Sequence, residues 1–160
     1  LSWPRAQMLV RMKAGIIAGL TSVGLGLSVI LFSQMQVEAG EAVSDISDRA
    51  SSTHALLLMV TWLIFNAPWI EELTFRHYLL PALARWWGGG RTAVIASVLV
   101  TAAIFSVGHA AHMEPAWPKL VQVGLWGVVL GGVRIWLGSI YCIALHLGWN
   151  LTAPVLAAMV

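Results

Sequence analysis

The first candidates for chemistry are the ionisable and amide side chains that stand inside long apolar runs of the sequence. They are Glu71, Glu72, Arg76, His109, His146 and Asn150. Burying such groups in an apolar environment costs free energy unless they are paired, so each of them is a candidate functional residue. Carboxylates and imidazoles that share such an environment are typical of sites that move protons.

Helical spacing divides these side chains into pairs. On a helix, residues i and i+4 share a face, whereas residues i and i+1 diverge by about 100°. Glu72 and Arg76 therefore can form an ion pair that lowers the cost of burying either one, while Glu71 is directed elsewhere and is free to face a cavity. His146 and Asn150 have the same spacing, which directs an imidazole and a carboxamide together.

A further pair combines an aromatic ring with a histidine. Phe105 and His109 are also i,i+4, so the ring forms a shelf beneath the imidazole.

The distance from the glycine-rich turn sets the level of each residue along its helix. Glu71 precedes Gly89 by 18 residues and His109 follows it by 20. An antiparallel hairpin centred on this glycine-rich turn places both at one level, about 27–30 Å from the turn. The sequence thus predicts that a carboxylate meets an imidazole across two helices; tilting of the helices would let His146 join them.

Membrane helices are the secondary structure predicted to carry these groups. The residue types AVILMFWYC make up 59 % of the 160 residues and charged residues 10 %, against a charged share of about 25 % in typical soluble domains. So few charges cannot cover the surface of a water-soluble domain, and the apolar content is too high for a disordered chain. These two exclusions leave an integral membrane protein.

The predicted fold class is all-α, a polytopic transmembrane helix bundle that forms a single membrane domain over residues 1–160. About five spans are predicted, at residues 14–32, 54–87, 92–110, 120–137 and 140–160. Pro68 and Pro81 predict kinks in the second span, and the polar stretch 33–53 predicts an extramembrane loop. His112 is predicted to be a solvated loop histidine.

Basic residues predict how the bundle is oriented. The side that holds the N-terminus collects Arg5, Arg11, Lys13, Arg85, Arg91 and Arg134, and the other side collects Arg49 and Lys119. Because positive charge favours the cytoplasmic side, the N-terminus is predicted to be cytoplasmic. Tryptophans near span ends, such as Trp86, Trp87 and Trp117, are predicted to lie at the membrane interfaces.

Three motifs occur in order on three separate apolar segments. They are EExxxR at 71–76, FxxxH at 105–109 and HxxxN at 146–150. In this combination the sequence resembles the CPBP family, which comprises type II CAAX prenyl proteases (the ABI family) and bacteriocin-processing enzymes. The resemblance extends over half of the chain and includes a glycine-rich fourth span. The sequence departs from the family at His77, where the residue after the motif arginine is often glycine.

The resemblance implies the activity of a glutamate-dependent intramembrane endopeptidase and a role for each motif residue. Glu71 is the implied general base that activates a water molecule, and His109 helps to bind and polarise that water. His146 and Asn150 are the implied donors to the tetrahedral oxyanion. The implied supporting residues are Glu72, Arg76 and Phe105. No metal or other cofactor is implied.

The function predicted from these features is hydrolysis of a peptide bond near the membrane surface by an endopeptidase of the bacterial inner (cytoplasmic) membrane. The implied partners are a membrane-anchored or prenylated protein or an exported peptide, together with the lipid bilayer, and no nucleic acid. A site nearer the outer face favours exported substrates, and CAAX-type cleavage on the cytoplasmic side is the alternative.

Two other function classes stay open. One is a metal-dependent membrane hydrolase with Glu71, His109 and His146 as ligands, because carboxylate and imidazole suit zinc. The other is a non-proteolytic carrier or accessory protein that uses the buried Glu and His as a proton relay. Further protease classes are excluded, because the sequence has no HExxH, no GxSG, and no aspartate outside the polar stretch, where Asp45 and Asp48 lie.

Overall fold

The computed structural model of the protein describes residues 3–34, 38–39 and 53–157, and almost all of them are helical. The helices in these ranges are α1 (Trp3–Gln34), α2 (residues 53–86), α3 (Arg91–Val107), α4 (Trp117–Trp136) and α5 (Ser139–Ala157). The all-α fold class is therefore confirmed. Residues 35–37 and 40–52 of the predicted polar loop and residues 158–160 of the last predicted span lie outside the described residues.

Two helices in the described ranges are long and apolar enough to cross a membrane, Arg91–His112 and Trp117–Trp136. The count of about five spans stays a prediction. Two short strands, β1 (Glu38–Ala39) and β2 (Met113–Glu114), pair antiparallel, with Glu38 opposite Glu114. This ladder joins the polar stretch after α1 to the connection between α3 and α4.

Helix α2 is continuous but contains two π-helical segments. Its segments are α-helical at Thr53–Thr61, π-helical at Trp62–Asn66, α-helical at Ala67–Glu72, π-helical at Leu73–Leu79 and α-helical at Leu80–Trp86. The residues at the junctions all keep right-handed helical angles. Pro68 and Pro81 each follow a π-helical segment within two residues. Because proline has no N–H and crowds the preceding turn, a wider turn before it accommodates the ring.

Glycines bring α3 and α4 into close contact. A Cβ atom on Gly131 would lie 2.7 Å from Cγ1 of Val98, and one on Gly127 would lie 2.9 Å from Cβ of Ala102. In a membrane, helices associate through such close packing because lipid is as apolar as the side chains that it replaces. The glycine-rich face of α4 therefore sets the distance between α3 and α4.

Two turns with left-handed glycines orient the neighbouring helices. Gly88 and Gly89, with φ of 94° and 73°, end α2, and Gly138, with φ of 104°, ends α4. Both turns fall where the sequence predicts breaks between spans. The buried core lies among α3, α4 and α5, and its members are Phe105, Val123, Trp126, Leu130, Val133 and Cys142.

Candidate active site

Glu72 joins α2 to α5 at the centre of the candidate site. Its Oε1 accepts a hydrogen bond from Nη1 of Arg76 at 3.0 Å and another from Nδ1 of His146 at 2.8 Å. The exposed fractions of the three residues are 0 %, 1 % and 4 %. The ion pair predicted from the spacing of Glu72 and Arg76 is therefore present, and it also holds a histidine from another helix.

Arg76 extends this network to α3 and α4. Its Cζ lies 4.3 Å from the centroid of the Phe105 ring, a cation–π distance. Its Nη2 donates to the backbone carbonyl of Gly127 at 3.5 Å. A buried guanidinium needs several partners to offset its desolvation, and here they come from three helices. Arg76 thereby fixes the EExxxR segment against α3 and α4.

Glu71 differs from Glu72 in exposure and in partners. Its side chain is 27 % exposed, and its Oε2 lies 3.6 Å from Nε2 of His146. Since Nδ1 of His146 donates to Glu72, Nε2 is the ring atom that faces Glu71. The imidazole of His146 thus stands between two carboxylates, one fully enclosed and one open.

His109 follows the end of α3 and is held by its own helix. Its Nδ1 donates to the backbone carbonyl of Phe105 at 2.8 Å, and the two rings lie edge to face with centroids 4.7 Å apart. The aromatic shelf predicted from the FxxxH spacing is therefore present. With the Nδ1 proton committed to this bond, Nε2 of neutral His109 carries a lone pair.

The ring of Phe105 contacts both site histidines. Its ring centroid lies 4.7 Å from that of His109 and 6.0 Å from that of His146. No hydrogen bond or ion pair joins Glu71 to His109 within the part of the chain that the structure describes. The imidazole that contacts Glu71 is that of His146. Asn150 lies one turn after His146 on α5 and is half-buried.

Two aromatic residues of the site were missed by the sequence analysis. The ring of Trp126 lies edge-on to His146 with centroids 6.5 Å apart, and it stacks on Trp149 at 4.6 Å. Tryptophan is enriched at membrane interfaces, so a tryptophan in the middle of a predicted span is a signal of internal packing. Trp126 carries that signal.

Arg134 was also missed, because the sequence analysis used it only to orient the bundle. Its Nε donates to the backbone carbonyl of Arg76 at 3.0 Å. Arg134 stands inside the predicted span 120–137, so the rule that singled out Glu71 applies equally to it.

An apolar cavity of about 740 Å³ opens between α1 and α4. Ile17, Gly24 and Leu27 line it on one side and α4 lines it on the other, from Trp117 to Trp136. Trp126 and Trp149 also contribute to its wall. Because Trp126 also contacts His146, its indole ring belongs both to the wall of the cavity and to the candidate site.

The described residues bear on the metal-dependent alternative. Among them, no three His, Cys, Asp or Glu side chains are grouped so that they could hold a metal ion. Glu71, His109 and His146, the ligand set of the metal-dependent alternative, are all described and do not form such a group.

Comparison with known protein families places the chain beside a family of membrane endopeptidases. A family model described as Type II CAAX prenyl endopeptidase Rce1-like matches residues 53–152. This range covers more than half of the chain and includes all three motifs. No curated protein and no solved structure matches the chain significantly.

Proposed function

This chain belongs to the type II CAAX prenyl endopeptidase family, and we propose that it hydrolyses its substrate with a water molecule that Glu71 activates. The family acts on membrane-anchored substrates, and the chain is a membrane protein of this class. The observation that carries the proposal is the contrast between the two neighbouring glutamates. Glu72 is fully enclosed and accepts two hydrogen bonds, whereas Glu71 is 27 % exposed.

In this mechanism Glu71 takes a proton from the water. The water oxygen then attacks the carbonyl carbon of the scissile bond, and the carbonyl oxygen becomes a tetrahedral oxyanion. The proton held by Glu71 passes to the leaving amine as the C–N bond breaks. His109 assists by accepting a hydrogen bond from the water at its Nε2, which is the lone-pair atom of the neutral ring.

His146 and Asn150 serve the oxyanion. Because Nδ1 of His146 donates to Glu72, the Nε2 edge of the ring is the one directed at the oxyanion, and it donates there when Nε2 carries a proton. Asn150, one helical turn away, supplies an amide N–H to the same face. Donors fixed in a water-poor site are worth more than donors in water, and removing one costs about 10²- to 10³-fold in rate.

The surrounding residues hold these groups in place. Glu72 fixes the ring orientation of His146, Arg76 neutralises Glu72, and the Phe105 ring separates His109 from His146. A reacting group that is held by buried, paired neighbours needs little reorganisation during the reaction.

The apolar cavity supports a substrate with a hydrocarbon anchor. Its volume of about 740 Å³ lies in the range of about 300–1,000 Å³ that is typical of small-ligand sites. This volume suits a single hydrocarbon chain rather than a whole transmembrane helix of a substrate. A prenyl or similar chain between α1 and α4 would place the attached peptide beside Trp126 and His146.

The proposal includes a location, the inner membrane of a bacterium with a cytoplasmic N-terminus. Labelling of intact cells with a membrane-impermeant maleimide tests the orientation, with single cysteines placed at the exposed residues Glu114 and Arg85. Labelling at position 114 alone supports the site opening outward, and labelling at position 85 alone supports CAAX-type cleavage on the cytoplasmic side. Native Cys142 is fully buried, so it contributes little background.

The catalytic proposal is tested by Glu71→Gln with Glu114→Gln as the matched control. The substrate is a fluorogenic peptide that ends in a farnesylated CaaX sequence. We expect Glu71→Gln to lower kcat by about 10²- to 10⁴-fold, the usual contribution of a general base. Glu114 is exposed, and its variant should match the wild-type protein. Full activity of Glu71→Gln would contradict the mechanism.

A further inference from the structure

Lys119 stands at the start of α4, next to the end of α3 that carries His109. The hydroxyl of Ser106 donates to the backbone carbonyl of Leu120 at 2.6 Å. Because Ser106 precedes His109 by three residues and Leu120 directly follows Lys119, this bond fixes the two segments side by side. The lysine therefore lies at one edge of the candidate active site.

The ammonium group of Lys119 has one neutral partner. Its Nζ donates to Oε1 of Gln122 at 3.2 Å. Within the described ranges it forms no ion pair with any carboxylate, and Glu114, five residues earlier, is exposed. A partly buried charge that has no counter-ion among the described residues is costly in that environment. An anion that binds beside the ammonium group of Lys119 would offset this cost.

Two histidine rings near Lys119 carry no negative charge that could neutralise it. The rings of His109 and His112 stack with centroids 4.9 Å apart, and Lys119 acts electrostatically on both. The Nδ1 atoms of both rings donate to backbone carbonyls, at 2.8 Å and 3.2 Å. Helix α4 begins without a side-chain cap, so its positive dipole end faces the same region.

We propose that Lys119 binds the terminal carboxylate of the substrate. The inference rests on the proposed function, because a CaaX substrate ends in a free carboxylate only a few residues from its prenylated cysteine. The ion pair would place the chain terminus at the start of α4 while the scissile bond lies at Glu71 and His146. Lys119 would then be a specificity-determining residue that distinguishes a chain end from an internal segment.

Two farnesylated peptides that differ only in a C-terminal carboxylate or carboxamide test this assignment. Cleavage is compared for the wild-type protein, Lys119→Met, Lys119→Arg and the exposed control Lys13→Met. Binding of both peptides is measured separately in the Glu71→Gln background, where cleavage is expected to be slow enough for a binding measurement. All measurements use the full chain in vesicles of zwitterionic lipid, and they are repeated with added anionic lipid.

We expect the wild-type protein and Lys13→Met to prefer the carboxylate peptide by about 10- to 100-fold, the range of a charge-assisted hydrogen bond. In Lys119→Met this preference should disappear, because KM and Kd for the carboxylate peptide rise. Cleavage and binding of the carboxamide peptide should stay unchanged. Lys119→Arg should keep most of it, because the positive charge remains.

Three results would overturn the assignment. The wild-type protein binding both peptides equally is the first. The second is an equal loss of cleavage for both peptides in Lys119→Met, because such a loss would come from a disturbed His109 or from impaired folding and not from the peptide terminus. A difference that appears only with anionic lipid, whatever the peptide terminus, is the third, because it assigns Lys119 to a lipid headgroup phosphate. Unchanged cleavage by Glu71→Gln would instead contradict the proposed function and leave the binding comparison intact.

Discussion

Arg134 donates a hydrogen bond from Nε to the backbone carbonyl oxygen of Arg76, over 3.0 Å. In the π-helical segment that holds Arg76, the N–H of Leu80 pairs with the carbonyl of Phe75. The next donor in this register belongs to Pro81, which has no N–H. Arg134 therefore supplies the hydrogen bond that the proline cannot make, and it does so from another helix.

This substitution of one donor for another leads to a test by double mutation. Arg134→Met should lower the free energy of unfolding by about 1–3 kcal/mol, because a buried carbonyl loses its partner. Pro81→Ala restores a backbone N–H, so the loss caused by Arg134→Met should be smaller in the Pro81→Ala background. Unfolding in mixed detergent micelles measures both, with exposed Arg91→Met as the control. Equal losses in the two backgrounds would contradict the donor exchange.

The two neighbouring glutamates should separate stability from catalysis. Glu72→Gln removes the charge that pairs with buried Arg76, and we expect a loss of about 3–5 kcal/mol in the free energy of unfolding. Glu71→Gln should change it by no more than about 1 kcal/mol, because its side chain is partly exposed. Unfolding of the purified variants measures the difference.

The double variant Glu72→Gln/Arg76→Met checks the cause of that loss. Removing the stranded guanidinium should recover part of the stability, since a lone buried charge costs more than an absent pair. A double variant that is less stable than the sum of both single changes would argue against the ion pair as the source.

The close approach of α3 and α4 predicts which glycines tolerate a methyl group. Gly131→Ala should destabilise the protein by about 1–3 kcal/mol through overpacking against Val98. Gly127→Ala should do the same and also lower activity, because its Cβ would lie 3.3 Å from Nη2 of Arg76. Gly132 has open space around it and provides the control. Thermal unfolding and peptide cleavage measure the two effects, and a stable, fully active Gly127→Ala would contradict this packing.

Cleavage should persist after metal ions are removed. The described residues offer no group of three side chains suited to a metal, and the proposed mechanism uses only protein groups and water. Activity is measured after dialysis against a chelator, beside a zinc protease that loses its activity in the same buffer. Loss of cleavage that zinc restores would favour the alternative in which Glu71, His109 and His146 are ligands.

Composition and short-range helical spacing are the features that the sequence alone makes readable. The all-α class follows from long apolar runs with few charges, whereas the Glu72–Arg76 ion pair and the Phe105–His109 shelf follow from residues four apart on one helix, and the structure has all three. The order of the three motifs likewise indicated the family. The roles of Glu71, His109, His146 and Asn150 in catalysis stay predictions.

The tertiary structure decided which helices face each other at the site. Equal distances from Gly89 suggested that Glu71 meets His109, but its ion-pair partner is His146, because α5 packs against α2 and Glu72 holds that ring. No local pattern encodes this contact, which joins residues 74 positions apart in the chain. The hydrogen bond of Arg134 is not encoded locally either, because in the sequence its charge indicates only how the bundle is oriented. The packing of α4 against a π-helical segment that Pro81 follows makes Arg134 a donor to the backbone, since the proline has no N–H for the carbonyl of Arg76.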